Sequence, residues 1–195
     1  TRPETMLGDT AVAVHPDPEV ALAAAEAELR DRLADAPAKQ KPEIQKELDE
    51  LIERRETMLG DLLTLRDMAL DGRMLTLPLV DRPIPLVADV WAKPEMGTGC
   101  VKITPAHDPN DYEVGLRQSL PMVNILNLDG TLNENAGAFN GMTIADARTA
   151  VLQRLESDGY LVGEESHTHS VGHCQRCSTV VEPIISEQWF VNMEP

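Results

Sequence analysis

A short strand that stops at a proline and leads directly into a helix start is the feature that most constrains this chain. Val101 and Ile103 alternate with polar residues, which predicts a strand with one apolar face. Pro105 cannot donate to a strand ladder and is expected to end the strand. Asp108 and Pro109 then have the order of an N-cap followed by the first helical residue. The fold must therefore bring a strand end and a helix N-terminus together.

Polar side chains collect at this junction. Lys102 and Thr104 lie on the second face of the predicted strand, His107 follows, and Asp111 falls at position N3 of the helix that Asp108 caps. A helix N-terminus favours ionised carboxylates. The spacing alone leaves two interpretations open. One is an ordinary cap that satisfies the first helix amides, and the other is a functional site.

Composition limits the classes of function. Of the 195 residues, 42% are hydrophobic but only 3% are aromatic, so the core is expected to be aliphatic. The net charge of −16 argues against a free-standing nucleic-acid binder, because such proteins carry a basic footprint. No apolar run is long enough to span a bilayer, and no signal peptide is visible. With only three cysteines, we expect a reducing, cytoplasmic location and no membrane partner.

Residues 17–73 predict an antiparallel helical hairpin inserted into the rest of the domain. Asp17 and the proline after it form a helix start, residues 37–42 break the helix, and a second helix runs from about residue 43 to Gly72. The segment holds 15 acidic and 9 basic residues, a net charge of −6, which is typical of a solvated arm. Docking onto a neighbouring domain and contact with tRNA are the functional alternatives, and the acidity argues against the second.

The remainder predicts short strands separated by a few helices. We expect strands at 11–15, 74–80, 84–90, 121–128, 160–162, 180–185 and 189–191, helices at 109–119 and 143–155, and a loop at 133–141. This pattern favours an α+β fold in which a barrel-like, curved β-sheet is flanked by a few helices.

A cluster of possible metal ligands lies near the end of the sequence. It comprises His167, His169, His173, Cys174 and Cys177. Cys174 and Cys177 have the spacing of a zinc knuckle, but a structural zinc site normally needs a second pair of ligands at a suitable distance. Zinc is therefore expected only if further ligands come from outside this sequence, and a metal-free turn is the alternative.

Two long motifs carry a resemblance to a known family. Residues 1–14 (TRPETMLGDTAVAV) and 97–112 (GTGCVKITPAHDPNDY) resemble the editing insertion of class I aminoacyl-tRNA synthetases, and specifically that of the valyl-tRNA synthetase family. Residues 170–191 resemble the segment that leads back into the synthetase body, whereas 17–73 has no recognised counterpart. The resemblance implies that 1–195 is a single editing domain excised from a larger synthetase. The HIGH and KMSKS signatures are missing, so aminoacylation and ATP binding would belong to the rest of the enzyme.

The resemblance also implies a reaction, the hydrolysis of mischarged threonyl-tRNA(Val) by attack of water on the aminoacyl ester. The partners would be the 3′ end of that tRNA, threonine as the edited amino acid, and the rest of the synthetase. Editing would need no cofactor. Cys100 is not expected to be the nucleophile, because no histidine is obviously placed as its base.

Roles for individual residues follow from the same resemblance. Asp111 would anchor the substrate ammonium group, with Asp108 supporting it, and these two residues are the catalytic pair. Substrate binding is expected from Arg2, Thr5, Met96, Lys102, Thr104 and His107. Arg2 and Thr5 would hold the terminal adenosine or the ester carbonyl, and Met96 would form an apolar wall. The alternative is a catalytically silent structural or interaction module, built on hairpin docking or on the zinc knuckle.

Overall fold

Helices and short strands alternate through the computed structural model, which describes residues 2–163, 170–187, 189, 191 and 193. The elements are β1 (Ala11–Val14), α1 (Pro18–Asp35), α2 (Lys41–Leu70), β2 (Met74–Leu77), β3 (Arg82–Ala88), β4 (Cys100–Ile103), α3 (Pro109–Arg117) and α4 (Ile144–Ser157), with 3₁₀ helices at Pro3–Gly8 and Glu134–Phe139. The predicted α+β class is confirmed.

The chain divides into two compact units. We call Ala11–Thr76 with Arg82–Ile103 the hairpin unit, and Thr1–Thr10, Leu77–Asp81 and Thr104–Pro195 the junction unit. That the whole chain forms one editing domain stays a prediction.

The hairpin unit contains an open, mixed sheet with the strand order β2-β3-β1-β4. β1 pairs in parallel with β3 through Val12 and Leu86, and antiparallel with β4 through Val12 and Lys102. The sheet ends at β2 and β4, so the predicted barrel-like curvature is wrong for the part of the chain that the structure describes. Four strands, three of them only four residues long, are too few to close a barrel.

Helices α1 and α2 pack against each other as the predicted hairpin. Asp17 caps α1 by accepting a hydrogen bond from the Val20 amide at 3.4 Å. An apolar cluster of Leu22, Leu51 and Leu62 joins the helices, and each buried leucine contributes about 1.5–3 kcal/mol. The pairing of early residues of α1 with late residues of α2 shows that the helices are antiparallel. Gly72, with a φ of 71°, follows α2 as predicted.

The junction unit has a separate apolar core. Its buried members are Leu7, Ile125, Leu126, Leu132, Ala136, Phe139, Ala147 and Val151. The 3₁₀ helix Pro3–Gly8 fits closely against this core, since a Cβ on Gly8 would lie 3.0 Å from the Val123 carbonyl oxygen and 3.2 Å from Ile125. Any larger residue at position 8 would push the two segments apart.

Three predicted strands of the junction unit are wrong. The structure describes 121–128, 160–162 and 180–185 fully, and it shows isolated bridges at Leu126 and Val180 in place of strands.

Side chains explain the first case, because the amide groups of Asn133 and Asn135 both donate to the Asn124 carbonyl, at 3.0 and 2.8 Å. That carbonyl is therefore paired without a strand ladder. The loop expected at 133–141 contains the second 3₁₀ helix. The strand expected at 189–191 includes residue 190, which lies outside the described residues.

Candidate functional site

The start of α3 has the predicted capping geometry. Asp108 is the N-cap, and its Oδ1 accepts hydrogen bonds from the Asn110 amide at 2.8 Å and the Asp111 amide at 3.2 Å. Pro109 is the first helical residue. The Asp108 carboxylate is half-buried, so part of it faces solvent at the positive end of the helix. It can therefore hold a cation or orient a water molecule.

Asp111 lies one turn further on and is buried, with 5% of its surface exposed. Its Oδ2 accepts a hydrogen bond from the Thr104 amide at 2.9 Å. The helix N-terminus is thereby joined directly to the residue that follows β4.

Thr104 is fully buried and contacts a second carboxylate. Its hydroxyl group donates to Asp9 Oδ1 at 2.5 Å, and Asp9 is itself 2% exposed. Because the hydroxyl proton is directed at Asp9, Thr104 Oγ1 can offer only lone pairs to any further group. Asp9, Thr104 and Asp111 together form what we call the junction network.

His107 links two other segments to the junction. Its Nε2 accepts a hydrogen bond from the Ile125 amide at 3.0 Å, and its Nδ1 lies 3.1 Å from the Pro183 carbonyl oxygen. The neutral imidazole with its proton on Nδ1 satisfies both contacts. His107 is 4% exposed, so this geometry fits a residue that holds the site in shape. A direct contact with substrate stays a prediction.

Arg2 belongs to a cluster of four charged side chains in the junction unit. Its Nε donates to Glu4 at 3.0 Å, and its Nη2 contacts Glu182. Arg148 of α4 holds the two Glu4 oxygens with Nε at 3.0 Å and Nη2 at 2.8 Å. Glu4 is 1% exposed, so this bidentate pairing replaces the water that the carboxylate loses.

The electrostatics of Glu4 follow from these contacts. Burial raises the pKa of the Glu4 carboxyl, but the hydrogen bonds from Arg148 and its own backbone and the charges of both arginines outweigh that effect. The net result is a pKa below the ordinary value of 4.5, so Glu4 is a stable anion. Thr5, also buried, donates its hydroxyl proton to the Arg2 carbonyl at 3.0 Å.

This geometry can be compared with known proteins. The family described as "Leucyl-tRNA synthetase, editing domain" matches residues 1–156, a stretch that contains the junction network and, of the Arg2 cluster, all but Glu182. The chain belongs to this editing-domain family.

Relatives of the editing domain carry the name valine–tRNA ligase, which confirms the resemblance found in the motifs. The protein from Rhodopirellula baltica is 60% identical over 194 residues, covering 100% of this chain and 19% of the relative. The protein from Carboxydothermus hydrogenoformans is 46% identical over 195 residues, covering 100% of this chain and 17% of the relative. The chain thus spans less than a fifth of the length of these relatives.

Two further predicted residues of the editing domain lie in the hairpin unit. Met96 stands in the loop between β3 and β4 with 65% of its surface exposed. Lys102 is a half-buried residue of β4. Cys100, two residues before Lys102 in the same strand, has a pKa raised by burial, which makes its thiolate harder to form and argues against a nucleophilic role.

Cys174 and Cys177 lie in a tight turn closed by hydrogen bonds between their segment and residues 178–179. The Ser178 amide donates to the Cys174 carbonyl at 2.9 Å. Hydrogen bonding with the side chain and backbone of Thr179 lowers the pKa of the Cys177 thiol, which favours the thiolate that a metal would need. The described residues include no group of three or more possible metal ligands, while His167 and His169 lie outside them.

Sequence reasoning missed Asp9, Glu4 and Arg148. The motif that contains Arg2 also contains Glu4, and an acidic residue next to an arginine in the first turn of a helix is a recognisable signal. Asp9 and Arg148 had no comparable signal, because their partners lie far away in the sequence.

None of the helices among the described residues is both long and apolar enough to cross a bilayer.

Proposed function

We propose that this editing domain hydrolyses threonine from mischarged tRNA(Val), with water as the nucleophile. One observation carries the proposal: the half-buried Asp108 carboxylate caps α3 within the stretch that matches the editing-domain family. A carboxylate at that place suits the free ammonium group of an aminoacyl ester. Water then attacks the ester carbonyl carbon, the bond to the ribose oxygen breaks, and threonine and tRNA leave.

The need for such a reaction follows from the similarity of valine and threonine. A hydrophobic pocket cannot strongly reject an isostere that adds a hydroxyl group, and valyl-tRNA synthetase is itself the standard example, with discrimination of about 10². A second site with polar partners has the opposite preference, because valine would leave those partners unpaired.

The two acids have complementary roles in this proposal. Asp111 anchors the ammonium group, and Asp108 supports the same cation or orients the water. The positive end of the helix dipole favours negative charge at both positions. Thr104, with its hydroxyl proton directed at Asp9, acts as an acceptor towards the threonine hydroxyl.

The remaining roles are assigned by resemblance. Arg2, whose side chain is 34% exposed, and Thr5 hold the terminal adenosine or ester carbonyl, while Met96 and Lys102 contact the amino acid. Recognition of a single-stranded 3′ end needs few phosphate contacts, which suits a chain with a net charge of −16. We place the reaction in the cytoplasm and expect the rest of the synthetase to supply most of the tRNA affinity. Zinc would bind Cys174 and Cys177 only together with ligands from elsewhere.

The test uses a valine–tRNA ligase that carries this domain, incubated separately with threonyl-tRNA(Val) and valyl-tRNA(Val), with ester loss followed over time. We expect Asp111→Ala to slow clearance of the threonyl ester about 100-fold or more while valine charging persists. Asp146→Ala is the matched control, because Asp146 also stands three residues after the N-cap of a helix, at the start of α4. Equal clearance by Asp111→Ala and Asp146→Ala would contradict the proposal.

A silent structural or interaction module is the second candidate. The observation in its favour is that Thr104 and Asp111 are buried and hydrogen-bonded to neighbouring groups. The same assay separates the two, since a silent module leaves both esters intact. We also expect the 195-residue chain alone to deacylate far more slowly than the ligase, because its negative charge repels tRNA. Equal rates would contradict that expectation.

A further inference from the structure

Arg54, on α2, holds the loop between β3 and β4 by three backbone carbonyl groups. Its Nε donates to the Pro94 oxygen at 2.7 Å. Its Nη2 donates to the Met96 oxygen at 3.2 Å and the Gly97 oxygen at 2.6 Å. Hydrogen bonds from a charged donor are about twice as strong as neutral ones, and a planar guanidinium can reach several carbonyls at once. One side chain of the hairpin therefore holds three carbonyl groups within residues 94–97 of the loop.

A second contact brings the same loop against the same helix. Gly99 has a φ of 75°, and a Cβ at that position would overlap Leu62 Cδ2. Leu62 lies eight residues after Arg54, so both side chains project from one side of α2. The loop between them is tightened by its own bonds, from the Met96 amide to the Lys93 oxygen at 3.0 Å and from the Gly99 amide to the Met96 oxygen at 2.8 Å.

On its other side, the beginning of the loop borders a cavity. A cavity of about 220 Å³ lies between α1 and the beginning of the loop, lined by His15, Ala21, Ala24, Ala25 and Glu28 from one side and by residues 93–95 from the other. A cavity provides few packing contacts. The carbonyls held by Arg54 are thus a main restraint on where the loop backbone lies.

We propose that Arg54 is a positioning residue for editing, which sets the place of the Met96 side chain by holding the loop that carries it. This inference rests on the proposed function, in which Met96 is the apolar wall of the amino-acid site. Met96 is 65% exposed, as a side chain that a ligand covers should be. The helical hairpin, which lies within the stretch that the editing-domain family matches, then acts as a support for substrate selection.

The experiment compares Arg54→Gln with Arg55→Gln in a valine–tRNA ligase that carries this domain. Arg55 is the neighbouring residue of α2 but contacts Glu26 of α1, which keeps Arg30 as a partner when Arg55 is changed. The readouts are amide hydrogen exchange of residues 93–99, and kcat and KM for deacylation of threonyl- and valyl-tRNA(Val).

We expect Arg54→Gln to accelerate exchange at residues 96–99 and to lower kcat/KM for the threonyl ester about tenfold, because misplaced binding groups cost catalytic rate. Arg54→Lys should restore only part of this, since an ammonium group cannot span three carbonyls. Arg55→Gln should leave both readouts unchanged. Exchange and kcat/KM equal to wild type in Arg54→Gln, or equal losses in both variants, would overturn the positioning role. Absence of threonyl-tRNA hydrolysis by the unmutated ligase would overturn the proposed function itself and the positioning role with it.

Discussion

The two units of this chain differ in where most of their charged side chains described here form pairs. In the junction unit, Asp9, Glu4 and Asp111 lie inside the fold, each accepting hydrogen bonds from specific protein groups. In the hairpin unit, most charges lie at the surface, and pairs such as Arg32 with Glu47 are about half exposed on both sides. Buried polar groups are costly when a partner is lost, whereas exposed ion pairs contribute little. The stability of the hairpin must therefore come from its leucines, and that of the junction also from its polar contacts.

The largest expected effect is at the leucine core of the hairpin. Leu22→Ala removes a fully buried side chain and leaves a cavity, so we expect a loss of about 2–5 kcal/mol in the free energy of unfolding, measured with urea. Val20→Ala on the same helix is the control, because Val20 is 62% exposed and should change stability by less than about 0.5 kcal/mol. Similar losses in the two variants would show that the apolar cluster is not what stabilises the hairpin.

The junction network gives the next effect. Thr104→Val keeps the size of the side chain but removes the donor that faces the buried Asp9 carboxylate, so we expect a loss of about 1–3 kcal/mol. Thr149→Val, on the exposed face of α4, removes a hydroxyl group whose acceptor is the Ala145 carbonyl and should be near neutral. If Thr104→Val were as stable as Thr149→Val, the polar character of the junction would not matter for folding.

The lowered pKa of Glu4 predicts that the stability of the chain depends on pH in the acid range. Its pKa is lower in the folded chain than the ordinary value of 4.5, so its contribution is complete above that value and is lost as the pH falls through the folded pKa. Glu4→Gln should therefore lower the free energy of unfolding by about 1 kcal/mol near neutral pH. It should also flatten the acid limb, by which we mean the fall of the free energy of unfolding as the pH decreases below about 4.5. Glu156→Gln, an exposed change on α4, should leave that limb intact. If the acid limb is unchanged in Glu4→Gln, then protonation of Glu4 does not cause the loss of stability at acid pH.

The smallest effect should come from the hairpin surface. Arg32→Gln breaks a pair whose atoms are 3.5 Å apart and half exposed, so we expect a change below about 0.5 kcal/mol that disappears in 1 M salt. A loss as large as that of Thr104→Val would mean that the two units do not differ in how they use charge. Thermal unfolding at low and high salt measures this directly.

Local signals predicted most of the helices and the strand before α3. Asp17, Asp108 and Thr143 each cap a helix because a short polar side chain in that position reaches the amides two or three residues later. Those amides are close in sequence, so the pattern is visible in a short window.

Long-range partners explain what sequence reasoning did not find. Asp9 pairs with a hydroxyl 95 residues away, and Glu4 with an arginine 144 residues away. Such contacts depend on the fold and leave no local pattern. The open sheet was missed for a related reason, since residues 121–128 have strand-like composition but their backbone is bonded by side chains from a later segment. The catalytic assignments came from family motifs, not from spacing.

The contact between Arg2 and Glu182 has a consequence for folding. Because these residues are 180 positions apart and touch, the ion pair closes a loop that contains most of the chain. The entropy cost of closing so long a loop must be overcome before the contact can form, whereas the turns of the helices close over a few residues. We therefore expect this ion pair to form late in folding, after the local helices.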